Sequence, residues 1–139
     1  MSATPASSPP AGSAWRVLLV DDSPDDAELA EYALRKAGLD VECRRACTAA
    51  GVDQALREFA PHAVVSDLNL PGYSGLDALA QVRAHDPGVP VLILTGAVAP
   101  DEDPPEAEAL LLKDDLDALP RELRGLLEAG RAAEMPSQA

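Results

Sequence analysis

The chain has 139 residues, enough for one ordinary domain and too few for two comfortable ones. Its formal net charge of −13, from 24 acidic and 11 basic side chains, repels phosphate backbones and anionic lipid and argues against direct nucleic-acid binding. With 47% hydrophobic but only 3% aromatic residues, the core must be built from Leu, Val and Ala, as in an aliphatic sheet covered by helices.

Cys43 and Cys47 are the only cysteines, with no second Cys or His cluster nearby, so they read as small apolar residues rather than a zinc site or a disulfide framework. No stretch approaches the ~18 consecutive apolar residues of a membrane span, and the N-terminus lacks the basic segment and apolar run of a signal peptide. Cytoplasmic residence without a membrane partner is the expectation.

Residues 1–14 are rich in Ser, Pro and Ala without periodicity and are expected to form a disordered leader. Val17-Leu18-Leu19-Val20 is a short continuous apolar run, the pattern of a strand buried on both faces. Asp21-Asp22-Ser23-Pro24-Asp25-Asp26 supplies helix-start chemistry, and Ala27, Leu29, Ala30, Ala33, Leu34 and Ala37 mark one apolar helical side ending near Gly38. Val41 to Ala46 is a weak strand. Thr48 can cap a helix carrying Val52, Ala55, Leu56 and Phe59 that Pro61 stops. Ala63 to Ser66 is a third strand ending on Asp67, and Pro71 to Gly75 a loop leading into a helix with Leu76, Leu79, Ala80 and Val82. Val89 to Leu94 is a fourth strand ending on Thr95, and Ala109 to Leu112 a fifth ending on Lys113. A last helix starts near Pro120 and runs toward Ala133, leaving residues 134–139 as a frayed tail. The domain therefore spans residues 15–133. Alternating strands and helices predict a doubly wound α/β fold, a five-stranded parallel sheet with right-handed crossovers.

Polar groups stand at four strand ends: Asp21 and Asp22, Asp67, Thr95, and Lys113. In an open α/β sheet, ligands bind in the crevice outside the carboxyl ends of the strands, so these side chains should converge. Two unit charges ~4 Å apart repel by ~4 kcal/mol at a protein-surface dielectric, so three gathered carboxylates need a cation. A hard divalent ion with oxygen ligands fits, and Mg²⁺ suits a partly hydrated site. With Lys113 and the ion present, the site could hold a labile acyl phosphate formed by in-line attack of Asp67. Thr95 and Lys113 would contact its phosphoryl oxygens, and Asn69 would offer its backbone carbonyl to the metal.

The stretches Val17-Leu18-Leu19-Val20-Asp21-Asp22-Ser23, Ser66-Asp67-Leu68-Asn69-Leu70-Pro71-Gly72-Tyr73-Ser74-Gly75, Leu92-Ile93-Leu94-Thr95-Gly96 and Leu111-Leu112-Lys113 resemble the receiver domain of bacterial response regulators. The resemblance covers about residues 16–130. It implies a flavodoxin-like receiver fold with Asp67 as phosphoacceptor, Asp22, Asp67 and the Asn69 carbonyl on Mg²⁺, and Asp21 supporting the metal through water. It also implies that Thr95 and Lys113 contact the phosphoryl group. The partner would be a sensor histidine kinase or a histidine phosphotransfer protein. Such a domain catalyses its own phosphorylation and dephosphorylation only, so it is not an enzyme with a separate substrate. No output domain follows Lys113, which leads to the expectation of a stand-alone regulator acting on a downstream protein target, with a homodimer left open.

Three departures from the family stand out. Pro100, Pro104 and Pro105 crowd the span between Gly96 and Ala109, and each interior proline costs ~3 kcal/mol in a helix, so the family's fourth helix is expected to be absent or much shortened. Leu110 stands where many receivers carry a Tyr or Phe that rotates on activation, and Asp114 replaces the Pro that often follows the Lys. An unphosphorylated pseudo-receiver acting as a protein-interaction module is therefore the alternative. A hydrolase with an Asp nucleophile is disfavoured, because Asn69 leaves no second acid two residues after Asp67.

Overall fold

Side-chain alternation along the strands decides where the helices pack. The computed structural model describes residues 14–70, 72–96, 109–112 and 115–134. In chain order these form β1 (Trp15–Val20), α1 (Pro24–Lys36), β2 (Val41–Ala46), α2 (Ala49–Glu58), β3 (Ala63–Asp67), β4 (Asn69–Leu70), β5 (Tyr73–Ser74), α3 (Gly75–His85), β6 (Val91–Thr95), β7 (Ala109–Leu112) and α4 (Leu119–Glu134). A short 3-10 turn at Leu116–Ala118 precedes α4.

Five strands make one parallel sheet in the order β2-β1-β3-β6-β7, the doubly wound architecture expected from the alternating pattern. Val17, Leu19, Val65, Leu92 and Leu94 point to one face, where α1 contributes Ala27, Ala30 and Leu34 and α4 contributes Leu119, Leu123 and Leu127. Leu18, Val20, Val64, Val91 and Ile93 point to the other, against Val52, Ala55 and Leu56 of α2 and Ala78, Leu79 and Val82 of α3. Burying both faces is why the strands read as unbroken apolar runs. Each fully buried Leu or Val contributes about 1.5–3 kcal/mol.

The helix ends are set by local chemistry. Ser23 Oγ accepts the Asp26 N–H at 3.2 Å, Pro24 starts α1, and Asp25 and Asp26 occupy its first turn. At the other end Gly38, with φ of 93°, closes a Schellman motif: Leu39 N–H donates to Leu34 O and Gly38 N–H to Arg35 O. Thr48 caps α2 through the Gly51 N–H at 3.0 Å, and Ser74 and Asp77 form a reciprocal capping box on α3.

Several boundaries differ from expectation. Across the Pro71 to Gly75 stretch expected to be a loop, Asn69 pairs with Ser74 and Leu70 with Tyr73, an antiparallel pair of two-residue strands too short to leave a periodic signal. The fourth long strand starts at Val91 rather than Val89, because Pro90 has no N–H to donate and serves the sheet through its carbonyl, which accepts from Val64 at 3.0 Å. Helix α4 takes in Glu134, which the sequence assigned to the tail. The rest of the expected leader and tail, residues 1–13 and 135–139, and the expected shortened helix within 97–108 lie outside the described residues.

Candidate functional site

The winding of the sheet reverses between β1 and β3. From β1 the chain moves outward to β2, then crosses back to lay β3 on the other side of β1, which leaves a crevice at their carboxyl ends. Val20 is in register with Ser66, so the next residues along, Asp21 and Asp67, emerge side by side. Carboxylate oxygens of Asp21, Asp22 and Asp67 all lie within 4.8 Å of one another. Asp21 and Asp67 are buried, 6% and 8% exposed, whereas Asp22 faces solvent.

Each of these positions has a local cause. The Asp21 N–H donates to Ala46 O at 3.0 Å, the last rung between β1 and β2. Its Oδ1 accepts the Ser23 N–H at 2.9 Å, and its carbonyl accepts from Arg45 Nη1 at 3.1 Å. Beyond Asp67, the Leu68 N–H donates to Leu94 O at 2.8 Å and the Gly75 N–H to Leu68 O at 2.7 Å. Gly75 must be glycine: a Cβ there would stand 2.8 Å from Asp67 O and 3.0 Å from Leu68 Cα, both main-chain atoms.

Thr95 ends β6 and is 2% exposed; its preceding residue, Leu94, is the register partner of Asp67. Leu112 pairs with Thr95, so β7 stops one residue short of Lys113, which itself lies outside the described residues. Asn69 begins β4, two residues past Asp67. Among the described residues, a Cβ on Gly96 would meet nothing within 4 Å. The histidines sit elsewhere: His62 Nδ1 accepts the Arg16 N–H at 2.9 Å at the opposite end of β1, with its ring edge-on to Trp15, and His85 ends α3.

The donor set is entirely oxygen, two carboxylates buried and one at the solvent boundary. That chemistry fits a hard, partly hydrated divalent cation such as Mg²⁺ and does not fit a thiophilic metal. The sequence marked all three carboxylates because each terminates or follows an apolar run. It did not mark Arg45 or the close approach at Gly75, since both depend on atoms distant along the chain.

A family model described as the response regulator receiver domain matches residues 17–116, a span that takes in the acidic cluster and Thr95. The chain belongs to this family. Among curated relatives of this receiver, "Probable transcriptional regulatory protein TcrX" of Mycobacterium tuberculosis is 41% identical over 86 residues, 62% of this chain and 36% of that protein. Transcriptional regulatory protein TrcR of the same species is 35% identical over 137 residues, 91% of this chain and 50% of that protein. The receiver thus spans between a third and a half of the length of these relatives. A solved CheY-like response regulator receiver domain protein from Methanospirillum hungatei matches with a TM-score of 0.73 at 21% identity, covering 87% of this chain and 99% of that one, a likeness of fold. The receiver is accordingly a two-component signalling domain of the response-regulator type. Among the described residues no helix is long and apolar enough to cross a membrane.

Proposed function

We propose that this receiver accepts a phosphoryl group on Asp67 from the phosphohistidine of a sensor histidine kinase or histidine phosphotransfer protein. The observation that carries the proposal is the convergence of Asp21, Asp22 and Asp67 within 4.8 Å at the reversal point of the sheet. An Asp67 oxygen attacks phosphorus in line, forming the oxygen–phosphorus bond as the phosphorus–nitrogen bond breaks and the imidazole departs with the electron pair. Asp21, Asp22 and Asp67, with the Asn69 main-chain carbonyl, are the groups that would hold Mg²⁺. When bound, the ion supplies the positive charge that lets a carboxylate meet an anionic phosphoryl group. The Thr95 hydroxyl, at the end of the strand next to Asp67, donates to a phosphoryl oxygen, and Lys113 pairs with another.

The phosphorylated domain then acts by contacting a protein target in the cytoplasm. Two relatives are named as transcriptional regulatory proteins, but the net charge of −13 here argues against this chain itself touching DNA. A second reading, a pseudo-receiver that binds partners without phosphorylation, draws support from Leu110, which is half-buried against the α2–α3 side of the sheet and carries no aromatic ring to switch. Incubation with acetyl phosphate and Mg²⁺ separates the two. A mass gain of one phosphoryl group, abolished in Asp67→Asn, supports the first; an unchanged mass supports the second.

A further inference from the structure

We propose that Arg45 is a positioning residue for the acidic cluster, its guanidinium fixing the Asp21 main chain so that the Asp21 and Asp22 carboxylates stay turned toward Asp67. The inference rests on the reading of that cluster as the Mg²⁺ site of the phosphoacceptor. The ladder between β1 and β2 ends at Val20 and Ala46, and the Asp21 N–H makes its last rung on Ala46 O. Beyond that rung β2 turns into the Thr48 cap of α2, and its backbone departs from β1. Arg45, in register with Leu19, reaches forward along the sheet and donates from Nη1 to Asp21 O at 3.1 Å. Asp21 is thereby held from β2 on both sides of its Cα, and its carboxylate is tied to α1 through the Ser23 N–H.

Arg44 supplies the internal control. It precedes Arg45 and carries the same charge, yet its guanidinium reaches Glu58 of α2 at 3.4 Å. Successive strand residues face opposite sides of the sheet, so only the second arginine is placed to reach the acidic loop. A role through charge alone would not separate the two residues; a role through the hydrogen bond on Asp21 does.

The test measures Mg²⁺ binding to the full chain by titration calorimetry, alongside the Mg²⁺ dependence of acetyl phosphate labelling, for the wild type, Arg45→Ala, Arg45→Lys and Arg44→Ala. Arg45→Ala is expected to weaken Mg²⁺ binding about fivefold, the scale of one hydrogen bond. Its labelling rate at saturating Mg²⁺ is expected to stay within about twofold of the wild type. Arg45→Lys should recover most of the lost affinity, Arg44→Ala should show none of the loss, and the deficit should persist at high salt, where through-space effects of exposed charges fade. Equal or tighter Mg²⁺ binding by Arg45→Ala, or the same loss in Arg44→Ala, overturns the assignment. If Arg45→Ala does not fold, Arg45→Gln, whose shorter side chain cannot span to Asp21, carries the same comparison. Wild-type protein that neither binds Mg²⁺ nor takes label would instead defeat the phosphoacceptor reading, so the two failures are distinguishable.

Discussion

Gly75 and Asp67 show how closely the proposed phosphoacceptor carboxylate depends on its neighbours. A methyl group at residue 75 would press on the Asp67 carbonyl and the Leu68 Cα, and main-chain atoms yield only by shifting the strand end. Gly75→Ala is expected to cost about 1–3 kcal/mol in a denaturant titration and to slow acetyl phosphate labelling with Asp67 still present. Ala60 is the opposite case, an L-residue held at φ of 50° just after α2. Ala60→Gly should raise stability by about 0.5–1 kcal/mol, seen as a higher denaturant midpoint at unchanged slope. Burial pushes the Cys43 thiol up from 9.0 to about 12, reinforced by the Glu31 carboxylate and opposed by Arg35. An unfolded chain releases that proton near its ordinary value while the folded chain keeps it, so stability is lost as pH rises through that window. Between about pH 7 and about pH 10 the wild type should therefore lose more stability than Cys43→Ala, measured by urea titration at each pH. Asp21, Asp22, Asp67 and Thr95 were legible from sequence because a polar residue ending an apolar run is a local signal. Gly75 and Arg45 were not, because a close approach or a reach across strands exists only once the register is set.

The elements follow from the same division between local and distant causes. Helix α1 was legible from Ser23, Pro24 and Gly38, and the structure uses all three as cap, first-turn residue and Schellman glycine. Its buried side is narrow, with Ala27, Ala30 and Leu34 against the sheet, so Leu34 carries much of the attachment. Leu34→Ala should cost about 2–5 kcal/mol in thermal or denaturant unfolding. The inner strands β1, β3 and β6 were legible because a strand covered on both faces is apolar throughout, whereas the edge strand β2, with Glu42, Arg44 and Arg45, gave only a weak signal. The β4–β5 pair was not, since two residues per strand leave no period to read. Its Tyr73 hydroxyl donates to Gln81 Oε1, while Gln81 Nε2 donates to Ala49 O at 2.7 Å, which ties the loop after Asp67 to the start of α2. That link spans three segments of chain and has no sequence signature.

At the scale of the whole molecule, strand order brings the ends of β1, β3 and β6 to one rim. The sequence contained the order of elements, and the rule that crossovers are right-handed made the doubly wound sheet the natural outcome. Strand order then decides which ends are neighbours: β1 and β3 lie side by side although α1, β2 and α2 separate them in the chain, and this brings Asp21 and Asp22 to Asp67. A strongly acidic chain with a further knot of carboxylates at one rim should depend on a cation for the chemistry at that rim. The most direct test is mass spectrometry of the intact protein after incubation with acetyl phosphate, with and without Mg²⁺, for the wild type and Asp67→Asn. One added phosphoryl group is expected in the wild type only when Mg²⁺ is present, and none in Asp67→Asn under either condition. Label that persists in Asp67→Asn, or forms equally well in a chelator, would contradict this expectation.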